Sequence, residues 1–269
     1  MNKIRFPRRE NQRYYRYHYT FLLNVFKEAG INVQLCPSTE LDTTRFTINI
    51  DGENVCIDFS DHTELYKDHK KYKHYFKYHY TEGLHEKYSN VYPLSPISFL
   101  NWDNYFFNDI KYTCNNNIIL NNQRPYAGAL ERRRKVQHLL KSAYKWRNLD
   151  FKLTDQKTYW EKINNCLVHV FVPGARNDML DRGQFQYMAF GCCTISPILK
   201  TKLPYSQELV PGYHYIEIKP DYSDLIEKIE WCKTHRKECI KIGQNAKYLF
   251  TAFCRPAKIV RWMELCLNK

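Results

Sequence analysis

No apolar run in this chain approaches the roughly 18 residues that a membrane-crossing helix requires, so a helical membrane protein is not expected. The first residues, Met1-Asn2-Lys3-Ile4-Arg5-Phe6-Pro7-Arg8-Arg9, hold no apolar segment of the kind a secretory leader carries, and a cytoplasmic protein is expected. Among ten cysteines there is no CxxC pair, and the histidines offer no HxxxH spacing. A zinc site is therefore not expected, and the thiols read as reduced and buried rather than as a disulfide scaffold. Gly-rich and Pro-rich tracts and internal repeats are also missing, which excludes linkers, low-complexity segments and solenoids. What is present is a 269-residue chain, enough for one large or two small domains, with a net charge of +13. A basic surface favours anionic partners: nucleotide diphosphates, nucleic acid or acidic membrane.

The chain is organised around residues 167–231. An apolar run, Leu167-Val168-His169-Val170-Phe171-Val172, leads into the loop Pro173-Gly174-Ala175-Arg176-Asn177-Asp178. A helical pattern from Arg182 to Phe190 stops at Gly191, and a β run follows, Cys192-Cys193-Thr194-Ile195-Ser196. Adjacent in a strand, Cys192 and Cys193 must point to opposite faces. A further β run, Tyr213 to Ile218, precedes an amphipathic helix opening at Asp221 or Ser223. Strand, loop, helix, strand, loop, strand, helix is the order of a parallel α/β sheet. Such sheets bind ligands outside the carboxyl ends of their strands.

The same stretch resembles the donor-binding half of a GT-B glycosyltransferase, as found in the CAP10-like protein O-glucosyl/xylosyltransferases and the exostosin-like transferases. The resemblance rests on Arg182 followed by Gly191-Cys192, on Leu209-Val210-Pro211-Gly212-Tyr213-His214-Tyr215-Ile216-Glu217-Ile218-Lys219 against an LxPxxHYxxxK pattern, on Asp221-Tyr222-Ser223-Asp224-Leu225, and on Ile229-Glu230-Trp231. It departs where many such donor helices carry Glu just before the Gly, since Gln186 stands there, and Arg182 lies one residue farther from the Gly than the family Arg. The resemblance implies two Rossmann-like halves with a nucleotide-sugar cleft between them, and C-terminal helices packing back. A composition change at Cys114-Asn115-Asn116-Asn117 sets the boundary, giving an acceptor-side α/β domain over 1–115 and a donor-binding domain over 116–269.

Residues 1–12 read as a basic arm. Asn11 to Ala29 predicts a helix closed by Gly30, with Phe21, Leu22, Val25 and Phe26 inward. Its interleaved Tyr14, Tyr15, Tyr17, Tyr19, Arg13, Arg16 and His18 would suit nucleotide stacking, or simply a solvated face. Asn32 to Cys36 predicts a strand, and Arg45–Asp51 with Asn54–Phe59 a hairpin around Asp51-Gly52. The second hairpin strand runs into Asp58-Phe59-Ser60-Asp61-His62, so carboxylates stand at a strand end. Asp61 reads equally as a helix cap or as chemistry. The resemblance implies a base Asp after such a strand, which leaves Asp58 and Asp61 as candidates. Lys70 to Tyr80, with His74 and His79, reads as a basic, solvated or acceptor-facing strand rather than a metal site. The prolines of Asn90 to Phe99 predict an extended segment, and Trp102 to Phe107 is an aromatic cluster suited to core or sugar stacking.

Ile118-Ile119-Leu120 predicts the first strand of the second domain. It leads through Arg124 and Gly128 to a helix bearing Arg132, Arg133 and Arg134, of which at most two can face one site. Helix-start amides and guanidinium forks suit a diphosphate. Asp150 to Leu153 is the next strand, with Thr154 as cap of the helix after it. Beyond Asp224, helices are expected over 224–234, 239–253 and 259–267, with Pro256 as the break.

Sugar transfer requires cations or amides for the departing diphosphate, a base if the reaction inverts, and exclusion of water. Expected donor-site residues are Arg124, Gly128, Arg132, Gly174, Arg176, Arg182, Gln186 and Tyr187, with Tyr187 or the Gln184/Gln186 pair for ribose or uracil. A cation in the first turn of a helix, as Arg182 is, opposes the helix dipole, so an anion nearby would account for it. The expected function is transfer of xylose or glucose from a UDP-sugar to a hydroxyl of a glycan or protein, with no cofactor and no metal. Two rival readings use the same basic surface: a transferase that glycosylates nucleic-acid bases, and a non-enzymatic nucleic-acid-binding module.

Overall fold

The computed structural model describes residues 1–8, 16–37, 44–60, 62–94, 110–174 and 176–269. They form a mixed α/β chain with two sheets, dividing into two compact units. One unit comprises residues 1–101, 201–208 and 252–269, the other 102–200 and 209–251.

The first unit is built on strands β1 (Lys3–Arg8), β2 (Asn32–Pro37), β3 (Arg45–Ile50), β4 (Glu53–Asp58), β5 (His74–Lys77) and β6 (Val91–Pro93), in the order β2-β1-β3-β4-β5-β6. The segment expected to be a basic arm is β1. Period-two alternation over residues 3–6 explains it: Ile4 and Phe6 are fully buried while Lys3 and Arg5 face outward, and Arg8 is exposed at the strand end. It pairs in parallel with β2 and antiparallel with β3, so its cations line a sheet edge region rather than a free tail. Helix α1 (Arg16–Glu28) buries Phe21, Leu22, Val25 and Phe26. It ends at Gly30, whose positive φ of 76° suits the left-handed residue that closes a helix.

The β3–β4 hairpin turns at Asp51 and Gly52, both with positive φ (49° and 100°), the backbone that a two-residue hairpin demands. The expected solvated basic strand is instead an interior one. His74 and Lys77 are buried because β5 lies between β4 and β6, and only Lys70, Lys71 and Lys73 before it remain outside. The C-terminal helix, Pro256–Leu267, packs against α1, and its Trp262 Nε1 donates to Pro93 O at 2.8 Å. Residues 95–109, including the aromatic cluster at 102–107, lie outside the described residues.

The second unit carries an all-parallel sheet: β7 (Ile119–Leu120), β8 (Leu149–Asp150), β9 (Val168–Val170), β10 (Thr194–Pro197) and β11 (Ile216–Ile218). Its order is β11-β10-β9-β7-β8, with every registered pair parallel. Helices α2 (Leu130–Ala143), α3 (Gln156–Glu161), α4 (Arg182–Ala189), α5 (Leu225–Thr234) and α6 (Arg236–Cys254) accompany the strands. One sheet face packs Val168, Val170, Ile195 and Ile216 against Val136 and Leu140 of α2, Leu225 and Ile229 of α5 and Ile242 of α6. On the other face His169, Phe171 and Tyr187 stack, with His169 centred 4.0 Å from Phe171 and 4.1 Å from Tyr187.

One cap and one strand start differ from expectation. Thr154 does not cap α3; Asp155 does, its carboxylate accepting from Thr158 N at 3.1 Å, because an acid one residue later reaches the exposed amides of the first turn. Likewise β11 starts at Ile216 rather than Tyr213, since Gly212 (φ 73°) turns the chain there and His214 Nδ1 takes the Val210 N–H at 2.9 Å. Cys36, Cys56, Cys114, Cys166, Cys192, Cys193, Cys232, Cys239 and Cys266 are free, and all of these but Cys36 are buried. Among the described residues no helix is long and apolar enough to cross a membrane.

Helix α6 crosses the turn after α4 backbone to backbone. A Cβ on Gly243 would lie 1.9 Å from Gly191 O and 2.8 Å from its carbonyl carbon. Gly243→Ala must therefore push main chain apart, and we expect a loss of about 3 kcal/mol or more, at the upper end of overpacking costs, measured by urea unfolding.

Candidate functional site

Counted within its own sheet, the second unit has strand order 2-1-3-4-5. Strand order reverses between β7 and β9, and the crevice beyond their carboxyl ends is where such sheets take ligands. The loops leaving these strands, 121–129 and 171–181, are laced together by side chains. Asn121 Nδ2 donates to Val170 O at 2.8 Å, and Gln123 both donates to Val172 O (3.1 Å) and accepts from Val172 N (2.7 Å). These amides continue the ladder where β7 itself has ended.

Arg133 locks the arrangement. Its guanidinium, 5% exposed, donates to Val172 O through Nε and Nη2 (3.2 and 3.1 Å), to Arg124 O through Nη1 (2.8 Å) and to Asp181 Oδ2 through Nη2 (3.2 Å). Of the three consecutive arginines, Arg134 is exposed, Arg133 points inward and Arg132 is half-buried. Arg132 Nη2 donates to Pro173 O and Gly174 O at 3.2 and 2.9 Å. Gly174 sits close in: a Cβ there would lie 3.2 Å from Tyr126 Oη and 3.3 Å from Asp181 Oδ2.

Around this locked frame, several groups are left over. Arg124 and Arg182 have exposed side chains that make no hydrogen bond among the described residues. Gly128, in the short 3-10 turn Ala127–Ala129, is exposed directly before α2. The N-terminus of α2 has no side-chain cap, whereas α3 and α4 are capped by Asp155 and Asp181. Asn121 Oδ1, Asn122 Oδ1 and Arg132 Nε are buried without a hydrogen-bond partner among the described residues. Open amides and unpaired guanidinium groups at a switch point suit an anion.

The remaining expected residues lie elsewhere in the chemistry. Arg176 is spent on Asp178 in a two-point pair (2.9 and 2.8 Å), so its charge is neutralised two residues away. Gln186 is buried and accepts from Trp160 Nε1 at 2.9 Å, while fully buried Tyr187 donates to Tyr159 O at 2.9 Å. Both therefore belong to the core, on the inner side of α4. Arg182 directly follows Asp181, the N-cap of α4, whose Oδ1 accepts from Gly183 N at 2.8 Å and whose Oδ2 is paired with Arg133.

In the first unit, Asp58 closes β4 opposite Lys77 at the end of β5. Both are fully buried. Asp58 Oδ2 accepts from Tyr75 Oη at 2.5 Å and Lys77 Nζ at 3.0 Å, and Oδ1 accepts from Ser60 N at 2.8 Å. Lys77 Nζ also donates to Ser60 Oγ at 2.6 Å. Burial pushes the Tyr75 phenol well up, and the Asp58 charge adds to the effect, so Tyr75 stays a donor. Three donors thus converge on the Asp58 carboxylate and pin the 58–60 turn. Asp61 lies outside the described residues. Lys77 and Ser60, not singled out by sequence, are the functional-looking groups that spacing missed. The register of two strands brings them to Asp58, and no local pattern encodes that register.

The comparisons with known proteins bear on this frame. No family model matches the chain. Over 91 residues, 30% of the chain, it is 34% identical to Uncharacterized protein 179R of Invertebrate iridescent virus 6. Over 78 residues, 28% of the chain, it is 31% identical to Protein O-glucosyltransferase 3 of Homo sapiens, and over 36 residues, 13% of the chain, 53% identical to Protein O-glucosyltransferase 2 of Danio rerio. These stretches span only 8%, 15% and 7% of the relatives' own lengths. The chain thus shares a partial, glycosyltransferase-like similarity with protein O-glucosyltransferases.

Two outcomes test the buried polar groups. Lys77→Met, which strands the Asp58 charge, should cost about 3–5 kcal/mol of stability; the double variant Asp58→Asn/Lys77→Met should recover much of it, giving a clear coupling energy in a double-mutant cycle. His169 is fully buried, has both ring nitrogens unpartnered among the described residues, and is held neutral by burial, well below its ordinary value. A depressed histidine is neutral in both states above pH 6.5, so its stability contribution is intact there. Below that, only the unfolded chain takes the proton and stability falls. Between pH 6.5 and about 5.5 the loss should be about 1 kcal/mol for this group, and His169→Phe should flatten the pH dependence of unfolding by that amount.

Proposed function

We propose that the protein is a glycosyltransferase that moves a sugar, xylose or glucose, from a UDP-sugar to a hydroxyl of a glycan or protein acceptor. One observation carries the reading: exposed Arg124 and Arg182 flank the uncapped N-terminus of α2 beyond the ends of β7 and β9, where the strand order reverses. The partial similarity to protein O-glucosyltransferases supports it.

In this reading the two arginines and the amides after Gly128 meet the charge developing on the departing diphosphate, the interaction that contributes most to such a transfer. Gly174 keeps the floor of the site low enough for main chain to approach the phosphates. Arg132 and Arg133 hold the loops in register, with Arg132 Nε left to face the ligand. Guanidinium and amide groups carry the charge, so no metal is invoked. The proposed base is Asp61: Asp58 is enclosed by Tyr75, Lys77 and Ser60, and the next carboxylate along the chain is Asp61.

A thermal-shift panel of UDP, GDP, CMP and dTDP at fixed salt reads the donor site, because a ligand that binds only the folded state raises its midpoint. UDP should give a selective rise that Arg124→Ala/Arg182→Ala removes. With a UDP-sugar and acceptor, Asp61→Asn should keep the UDP shift and lose transfer by about 10²–10⁴-fold, the usual contribution of a general base. Absence of a shift with every nucleotide would overturn the reading, and a fully active Asp61→Asn would overturn the base.

A further inference from the structure

The second unit leaves Tyr126, Trp146, Tyr213 and Tyr248 largely outside its core, and Trp146 is the indole among them. Trp146 is 69% exposed. It opens the 3-10 turn Trp146–Asn148 that joins α2 to β8, and β8 is an edge strand of the sheet. The indole is held in place. Its centroid is 5.9 Å from the Phe151 ring, and Lys141 Nζ, from the last turn of α2, lies 5.7 Å from Trp146 and 5.4 Å from Phe151. The turn is anchored on either side, with Tyr144 Oη donating to Glu230 at 2.7 Å and Lys162 Nζ paired to Asp150 at 2.9 Å.

Lys141 lies near this ring, and further cations follow it closely along the chain. Lys141, Lys145, Arg147 and Lys152 are all exposed. The single carboxylate between residues 145 and 153 is Asp150, already engaged by Lys162, Asn122 and the Lys152 amide. A net-positive surface with a pre-positioned, open aromatic face combines two recognition terms. Ammonium and guanidinium groups neutralise a polyanion's backbone, and the indole stacks on a flat ring carried by that backbone. A neutral glycan uses the ring but has nothing for four cations. A sulfated or other polyanionic chain without bases uses the cations but has no aromatic face for the indole.

We propose that the Trp146 surface, with Lys141, Lys145, Arg147 and Lys152, is a binding site for single-stranded nucleic acid, the indole stacking on a base and the cations tracking the phosphates. The inference is independent of the transferase reading, because it concerns an edge of the sheet away from the β7–β9 switch point and is tested by binding alone.

The test is fluorescence anisotropy of the full chain with labelled dT12 and U12 oligonucleotides over a salt series, with heparin and duplex DNA as competitors. Trp146→Ala should weaken oligonucleotide binding about ten-fold, within the ~1–3 kcal/mol that one stacked base contributes, and Trp146→Phe should restore most of it. Lys145→Glu/Arg147→Glu should reduce the magnitude of the log–log salt slope by roughly 0.7 for each phosphate no longer neutralised. Because these side chains are exposed, each variant should keep the wild-type thermal midpoint, so weaker binding cannot come from unfolding. The proposal is overturned if no oligonucleotide binds, if Trp146→Ala binds like wild type, if duplex is preferred, or if heparin binding falls by the same factor as oligonucleotide binding in Trp146→Ala.

Discussion

The buried guanidinium of Arg133 is the constraint on which the loops beyond β7 and β9 depend. A planar fork with five donors can serve several acceptors at once without bending, and here it reaches Val172 O, Arg124 O and Asp181. Those acceptors belong to the two loops that flank the reversal in strand order, and to the cap of α4. Neutralised by Asp181 and surrounded by carbonyls, Arg133 is not available to a ligand. What it does is hold Arg124 and Arg182 outward and Gly174 close in. A lysine would supply the charge but not the geometry.

The first unit solves a related problem by other means. Its turn after β4 is fixed by a carboxylate, an ammonium, a phenol and a hydroxyl that satisfy one another away from water. Such a cluster is costly to break and sets a unique local structure, whether or not it adds net stability. The two units thus place their strand-end turns with buried charge rather than with apolar packing alone. Chemistry is then left to groups on the solvent side of these frames.

Much of the second unit is legible in sequence because its signals are local. The apolar run around 168–170, the β run into 194–197, the Gly191 stop and the alternation around β11 each declare an element within a few residues. The hairpin at Asp51-Gly52 is equally readable, since turn chemistry specifies it. What sequence does not supply is orientation. Arg132 and Arg133 look alike in a string; only helix phase against a particular loop turns one inward. Gln186 and Tyr187 carry the polar atoms expected of a nucleotide site, yet the phase of α4 directs them to Trp160 and Tyr159. Arg176 loses its expected role to a neighbour two residues on. The β1 segment reads as an arm because its cations outweigh Ile4 and Phe6 in composition, although alternation, not charge, decides a strand.

The Gly191–Gly243 crossing has a consequence for lineage as well as for packing. Gly243 has no room for a Cβ, Gly191 sits at a φ of 88° that strains any L side chain, and the chain between them spans β10, β11 and α5. A pair of glycines held at that separation, one ending a helix and one inside the next long helix but one, is a fingerprint that no local pattern carries. Distant relatives whose loops and surface have diverged beyond alignment should still be recognisable by it.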